Sequence, residues 1–206
     1  MTNDERQELV LDTIRARRSI RRYLDTPVPR ELIEKILDAA RWAPSAHNRQ
    51  PWRFAIIENS ETKRALASAM GDKLRADLER DGAARDVIEK DTARSYQRIT
   101  NAPVVIVVCV TMREMDSYAD ARRRHAEYLM ATQSVAMATQ NLLLAAHALG
   151  LGACWMCAPL FVPETVREVL KLENDWEPQV LITMGFGGET REKTRMSLED
   201  VAVCVA

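Results

Sequence analysis

The stretch Arg15–Phe54, RARRSIRRYLDTPVPRELIEKILDAARWAPSAHNRQPWRF, joins three chemically distinct segments. It opens on a basic cluster, Arg15, Arg17, Arg18, Arg21 and Arg22, with Ser19 inside it. Arginine presents a planar fork of donors that grips phosphate oxygens in pairs, and a serine hydroxyl adds one more. A solvated helix end would have the same composition, so the cluster alone leaves both readings open. A helix follows. Pro29 suits a first helical position, Glu31 favours the N-terminal dipole, and Leu32, Ile33, Ile36, Leu37 and Ala40 form one apolar stripe. Pro44 stops it, because the residue before a proline resists helical geometry. Ser45–Pro51 carries donors without apolar periodicity, and Trp52–Glu58 reads as a strand. One end of this unit suits a phosphate and the other the hydrogen-bonding edge of a flat heterocycle, as a nucleotide-like cofactor requires.

Outward from this unit, 206 residues are enough for one well-cored domain, taken here as residues 1–206. The net charge of −1 gives the molecule no overall field for nucleic acid or an anionic membrane. No apolar run is long enough to span a bilayer and no signal-peptide core is visible, so a cytoplasmic protein is expected. Four cysteines do not make a disulfide scaffold. Cys109 and Cys204 lie in apolar runs and are expected to be buried. Cys154 and Cys157 form a C-x-x-C pair, but on a strand positions three apart face opposite ways, and no metal site is expected.

Along the chain, helices are expected over 3–17, 62–80, 84–99, 125–149 and 159–172. Residues 71–98 read as a helical lid or insert. The β-branched run Pro103–Thr111 and the segment Pro178–Phe186 read as strands buried on both faces. The helix over 125–149 is apolar nearly all round, so it should lie centrally, and its small residues Ala131, Ala136 and Ala138 would permit a dimer seam. His147 reads as a core or boundary histidine, and Gln140 and Asn141 as local bonds or groups facing a ligand. Gly150 is placed to end that helix in the left-handed region. The G-L-G at 150–152 is not a dinucleotide fingerprint, since a helix precedes it and a third glycine is missing. The apolar end at 200–206 should add a strand to a sheet rather than stay unpaired.

The order R-R-S-x-R, helix, P-S-x-x-N-x-Q-P-W, strand resembles the nitroreductase family of flavoenzymes, and the likeness extends over nearly the whole chain. Arg17, Arg18, Ser19 and Arg21 match the family's first flavin-phosphate motif. Pro44, Ser45, Ala46, Asn48 and Gln50 match the loop that in the family reaches the flavin of the partner subunit, with Ala46 where a second serine is common. Leu151–Trp155 resembles the family's glycine strand, which implies that backbone amides at Gly152, Ala153 and Cys154 approach the flavin. Lys193 and Arg195, after a glycine turn and Arg191, match a basic element that returns to the phosphate.

The resemblance implies an α+β, three-layer fold with a mostly antiparallel sheet of four to five strands flanked by helices. It also implies a C-terminal strand exchanged within a homodimer, FMN at the interface, and electron transfer from NAD(P)H to a small acceptor such as a nitroaromatic or quinone. No catalytic side chain is then needed, because the flavin carries the chemistry. The segments GDKLRADLERDG, DSYADARR and DWEPQVLITMGF are most similar to the flavin domain of deazaflavin-coenzyme glutamyl ligases, which implies a dehydro-precursor reductase as an alternative. A flavin-binding module without turnover is the other.

Overall fold

The computed structural model describes residues 2–190 and 192–205. Four strands, β1 (Trp52–Ile57), β2 (Val104–Val110), β3 (Leu151–Met156) and β4 (Glu177–Phe186), form one antiparallel sheet in the order β1-β2-β4-β3. The described residues also form seven α-helices: α1 (Asn3–Ala16), α2 (Arg30–Arg41), α3 (Ser60–Arg80), α4 (Arg85–Thr100), α5 (Ala121–Ala148), α6 (Pro163–Leu170) and the short α7 (Leu198–Val201).

The three layers follow from the two-residue period of a strand. On β2, Val104, Ile106, Val108 and Val110 face Ile33, Ile36 and Ala40 of α2 and Ala131, Val135, Ala138 and Leu142 of α5. The alternate residues Val105, Val107 and Cys109 face Leu66, Ala67 and Met70 of α3, Ile99 of α4 and Val166 of α6. Both faces being covered explains why the strand reads as an unbroken apolar run.

Four expectations need correction. Helix α5 begins four residues earlier than its apolar pattern suggests, because Asp120 caps it through the Arg123 amide (2.9 Å). It is not enclosed on every side: Ala131 and Ala138 are buried within the chain, whereas Leu129 and Met137 are 44 % and 40 % exposed. The C-terminal segment forms no strand among the described residues. Ser197 and Asp200 cap each other to make the single turn of α7, and residues 202–205 run out exposed, Cys204 included. Ala206 lies outside the described residues.

A buried lysine ties α3 to the turn that feeds β2. Lys63, 6 % exposed, donates its ammonium to the carbonyls of Ala102 (2.6 Å) and Pro103 (3.1 Å). Substituting methionine keeps the length but leaves both carbonyls without this donor. Lys63→Met is expected to cost about 1.5–3 kcal/mol, as for hydrogen bonds to a charged group. An unchanged midpoint in urea-induced unfolding would show that water replaces the bonds.

Candidate functional site

The arginine-rich segment is held by backbone pairing at the free edge of β3. Where α1 ends at Ala16 the chain turns extended: Ser19 pairs in parallel with Ala153, and the Ile20 amide donates to the Ala153 carbonyl (3.0 Å). Further on, the Leu24 amide donates to Phe186 O (2.9 Å) and the Gly188 amide to Arg22 O (2.9 Å). The Tyr23 hydroxyl lies 2.6 Å from Ile20 O and 2.9 Å from Thr183 O, and burial pushes its pKa up so that it stays a donor. Glu189 accepts the Arg21 amide (2.7 Å).

Gly152 is required by this arrangement. A Cβ on it would lie 2.8 Å from Ile20 Cβ and Cγ2. The crowding that demands a glycine is therefore the seat of the arginine segment, and the Ala153 carbonyl is engaged by Ile20. Gly150, with φ +80°, ends α5 as its position predicted.

Arg17, Arg18, Gly152 and Ala153 converge on one cavity of about 240 Å³, with His147 and Glu189 in its wall. Burial, then the charges of Arg195 and Arg18, lower the pKa of the Arg17 guanidinium. The two ends of the chain thus come within electrostatic reach of each other. Arg18 Nε is buried with no hydrogen-bond partner, although the same side chain donates to the carbonyls of Arg15 and Arg17. Clustered guanidiniums and an orphaned donor are what a multivalent anion would satisfy. Lys193 and Arg195 are exposed, and Arg191 lies outside the described residues.

His147 carries a pH signature of this cluster. Burial first, then Arg17 and Arg18, lower its pKa from 6.5. The unfolded chain therefore takes the proton before the folded one does. Stability should be unaffected above the ordinary histidine range, fall as pH drops through 6.5, and level off once the folded imidazole also protonates. His147→Gln is expected to flatten that part of the Tm–pH curve. An unaltered curve would assign the acid dependence elsewhere.

Arg21 and Cys154 line a neighbouring groove of about 290 Å³ that runs along Trp155–Ala158 and is closed by Leu74, Arg94 and Arg98 of α3 and α4. Cys154 is buried and Cys157 exposed, and the Trp155 indole N–H donates to Cys157 Sγ (3.0 Å). Ser19, on the bridge to Ala153, stands in the chain between Arg18, which lines the cavity, and Arg21, which lines the groove.

The second polar segment lies elsewhere. Pro44, Ser45, Ala46, Asn48 and Gln50 precede β1, whereas the arginine segment extends the sheet beyond β3. Three strand spacings, about 14 Å, separate β1 from β3. His47, Asn48 and Gln50 have φ of 50°, 55° and 51°, left-handed positions interrupted by the right-handed Arg49, which side-chain-bearing residues adopt uncommonly. The Gln50 amide donates to Ser45 Oγ (3.1 Å), and Arg49 pairs with Asp116 (2.7 Å). Asn141 is spent on the fold, donating to Ala39 O of α2 (3.4 Å), and Gln140 is exposed.

The nitroreductase family matches residues 14–186. The chain belongs to the nitroreductase family. It is 34% identical over 186 residues, 87% of this chain and 78% of the relative, to a protein of Methanothermobacter thermautotrophicus provisionally named NADH dehydrogenase/NAD(P)H nitroreductase. It is 30% identical over 212 residues, 91% of each chain, to an NADH dehydrogenase of Thermus thermophilus. A provisionally assigned nitroreductase from Desulfovibrio desulfuricans, solved in complex with FMN, superposes with a TM-score of 0.72 at 28% identity over 96% of each chain.

In this chain, no sequence pattern singles out Arg94 and Arg98. They lie four residues apart, hence on one face of α4, in a helix whose weak apolar pattern drew attention away from its charges. Nor does one mark Glu189, which follows the glycine turn without any local signal of its target. No helix among the described residues is long and apolar enough to cross a membrane.

Proposed function

We propose that this chain is an FMN-dependent oxidoreductase that takes electrons from NAD(P)H and passes them to a small organic acceptor such as a nitroaromatic or quinone. The observation that carries this reading is the cavity on which Arg17 and Arg18 converge, with Arg18 Nε buried and unpartnered and the charge of Arg195, from the other end of the chain, felt at Arg17. Those groups, with Ser19 and Lys193, would hold the FMN phosphate. Arg21 and the backbone of the β3 end would border the ring. Bound FMN supplies the two-electron chemistry, so the protein's own tasks are to bind, orient and shield it. Residues 71–98 supply the outer wall of the groove, consistent with a lid over the reacting edge.

The same reading requires two copies of the chain. One copy holds the arginine segment and the Ser45–Gln50 loop at opposite edges of its sheet, so the loop would serve the flavin held by the partner. The chain exposes apolar side chains that a second copy would cover: Leu9, Val10 and Ile14 of α1, Trp42 after α2, Met137 of α5, and the tail through Val205. Light scattering is expected to return a dimer, and a monomer that retains FMN would contradict the shared site.

The purified protein is expected to be yellow or to become so with FMN, and to bleach on anaerobic addition of NADPH or NADH. A protein that stays colourless after FMN addition rejects the reading. Flavin binding without nicotinamide oxidation would favour a module without turnover. The deazaflavin-precursor reductase, which rests on the likeness of residues 71–82, 116–123 and 175–186, requires tight binding of a deazaflavin beside FMN.

A further inference from the structure

We infer that Arg21, Arg22, Arg94 and Arg98 form a second oxyanion site, which binds a phosphate or carboxylate carried by a substrate rather than by the cofactor. The inference rests on the flavoenzyme reading above. These four arginines, with Gln97 and Asn101, enclose a hollow of about 260 Å³, and no acidic side chain lines it among the described residues. In a chain of net charge −1, four guanidiniums around one hollow are far from the average surface. Every lining side chain carries an N–H donor, and the guanidinium fork matches oxygens in pairs.

Both walls are fixed before any ligand arrives. One is pinned by the bonds from the Gly188 amide to Arg22 O (2.9 Å) and from the Arg21 amide to Glu189 (2.7 Å). The other belongs to α4, anchored in the core by Ile99 and Ile88. Asp91 touches Arg94 at 2.6 Å, but both side chains are partly exposed, a setting in which such pairs contribute little.

The hollow shares no residue with the Arg17–Arg18 cavity, so one phosphate cannot occupy both. It does share Arg21, Arg94 and Arg98 with the groove along Trp155–Ala158. A molecule lying in that groove could place a charged end in the hollow. The oxyanion could belong to the ribose phosphate that distinguishes NADPH from NADH, or to a carboxylate on the acceptor.

Calorimetry on the FMN-loaded protein separates these sources. One arm compares adenosine 2′-phosphate with adenosine, the other para-nitrobenzoate with para-nitrobenzyl alcohol. One anion is expected to bind about tenfold or more tighter than its neutral analogue. The exposed double substitution Arg22→Gln/Arg94→Gln should abolish that preference while FMN content and Tm stay as in the parent. Preference in the first arm assigns the site to the donor, and preference in the second to the acceptor. Equal binding of anion and analogue by the parent overturns the inference and leaves the flavoenzyme reading intact. So does loss of FMN from the double variant, which would make the cluster part of the cofactor's own site. A parent chain that takes up no FMN overturns both.

Discussion

Replacing Arg17 with alanine is expected to weaken FMN binding about ten- to hundredfold, the effect of removing about 1.5–3 kcal/mol of charge-assisted hydrogen bonding. The direction follows from the company Arg17 keeps. Burial and the charges of Arg195 and Arg18 disfavour its guanidinium in the ligand-free chain, so the fold holds it against its own electrostatics. Alanine removes that repulsion along with the donor. The ligand-free variant should therefore be no less stable than the parent, even though it has lost affinity, the exchange of stability for function expected at a binding site. Flavin fluorescence titration measures the first effect and thermal unfolding without flavin the second. Arg195→Ala should act in the same direction, and less than additively with Arg17→Ala if both grip one phosphate. Full FMN retention in both single variants would move the phosphate elsewhere.

Gly152→Ala should produce the other large effect, by a route that involves no ligand contact. The new methyl would sit 2.8 Å from Ile20 Cβ, closer than such carbons approach. Ile20 cannot simply yield, because its amide is bonded to the carbonyl of the next residue, Ala153 (3.0 Å). Overpacking of this kind costs about 1–3 kcal/mol. Part of the strain should be relieved by prising the Ser19–Arg21 segment from β3, so FMN affinity should fall with stability. Ile20→Ala leaves a cavity and destabilises by about 2–5 kcal/mol alone. The double variant should be markedly better than the sum, because each change makes room for the other. Strict additivity of the two unfolding free energies would mean that the contact is not what fixes a glycine at this position.

The elements legible from sequence share one property: a local period that mirrors the face they bury. Ile33, Ile36 and Ala40 recur at helical spacing because α2 packs one stripe on the sheet. The run from Val104 to Val110 is continuous because helices cover both faces of β2. Gly150 was legible because a left-handed helix end has few occupants. The arginine cluster was legible as a chemical type only, since guanidiniums around a serine suit a phosphate and a solvated helix end alike. The turn at 198–201 was not read, because the apolar residues around Ser197-x-x-Asp200 point to a strand and mask the cap.

By itself, then, the sequence determined the layers of the fold, the buried strands and the residue types able to hold a phosphate. Only the tertiary structure decided that Ile20 is what Gly152 makes room for, that Arg94 and Arg98 face Arg21, and that the Ser45–Gln50 loop lies across the sheet from the arginines. A repeating pattern records burial because every turn of a helix or step of a strand meets the same neighbour. A single contact between residues a hundred positions apart leaves no period behind, and appears only when the sheet brings its edges into place.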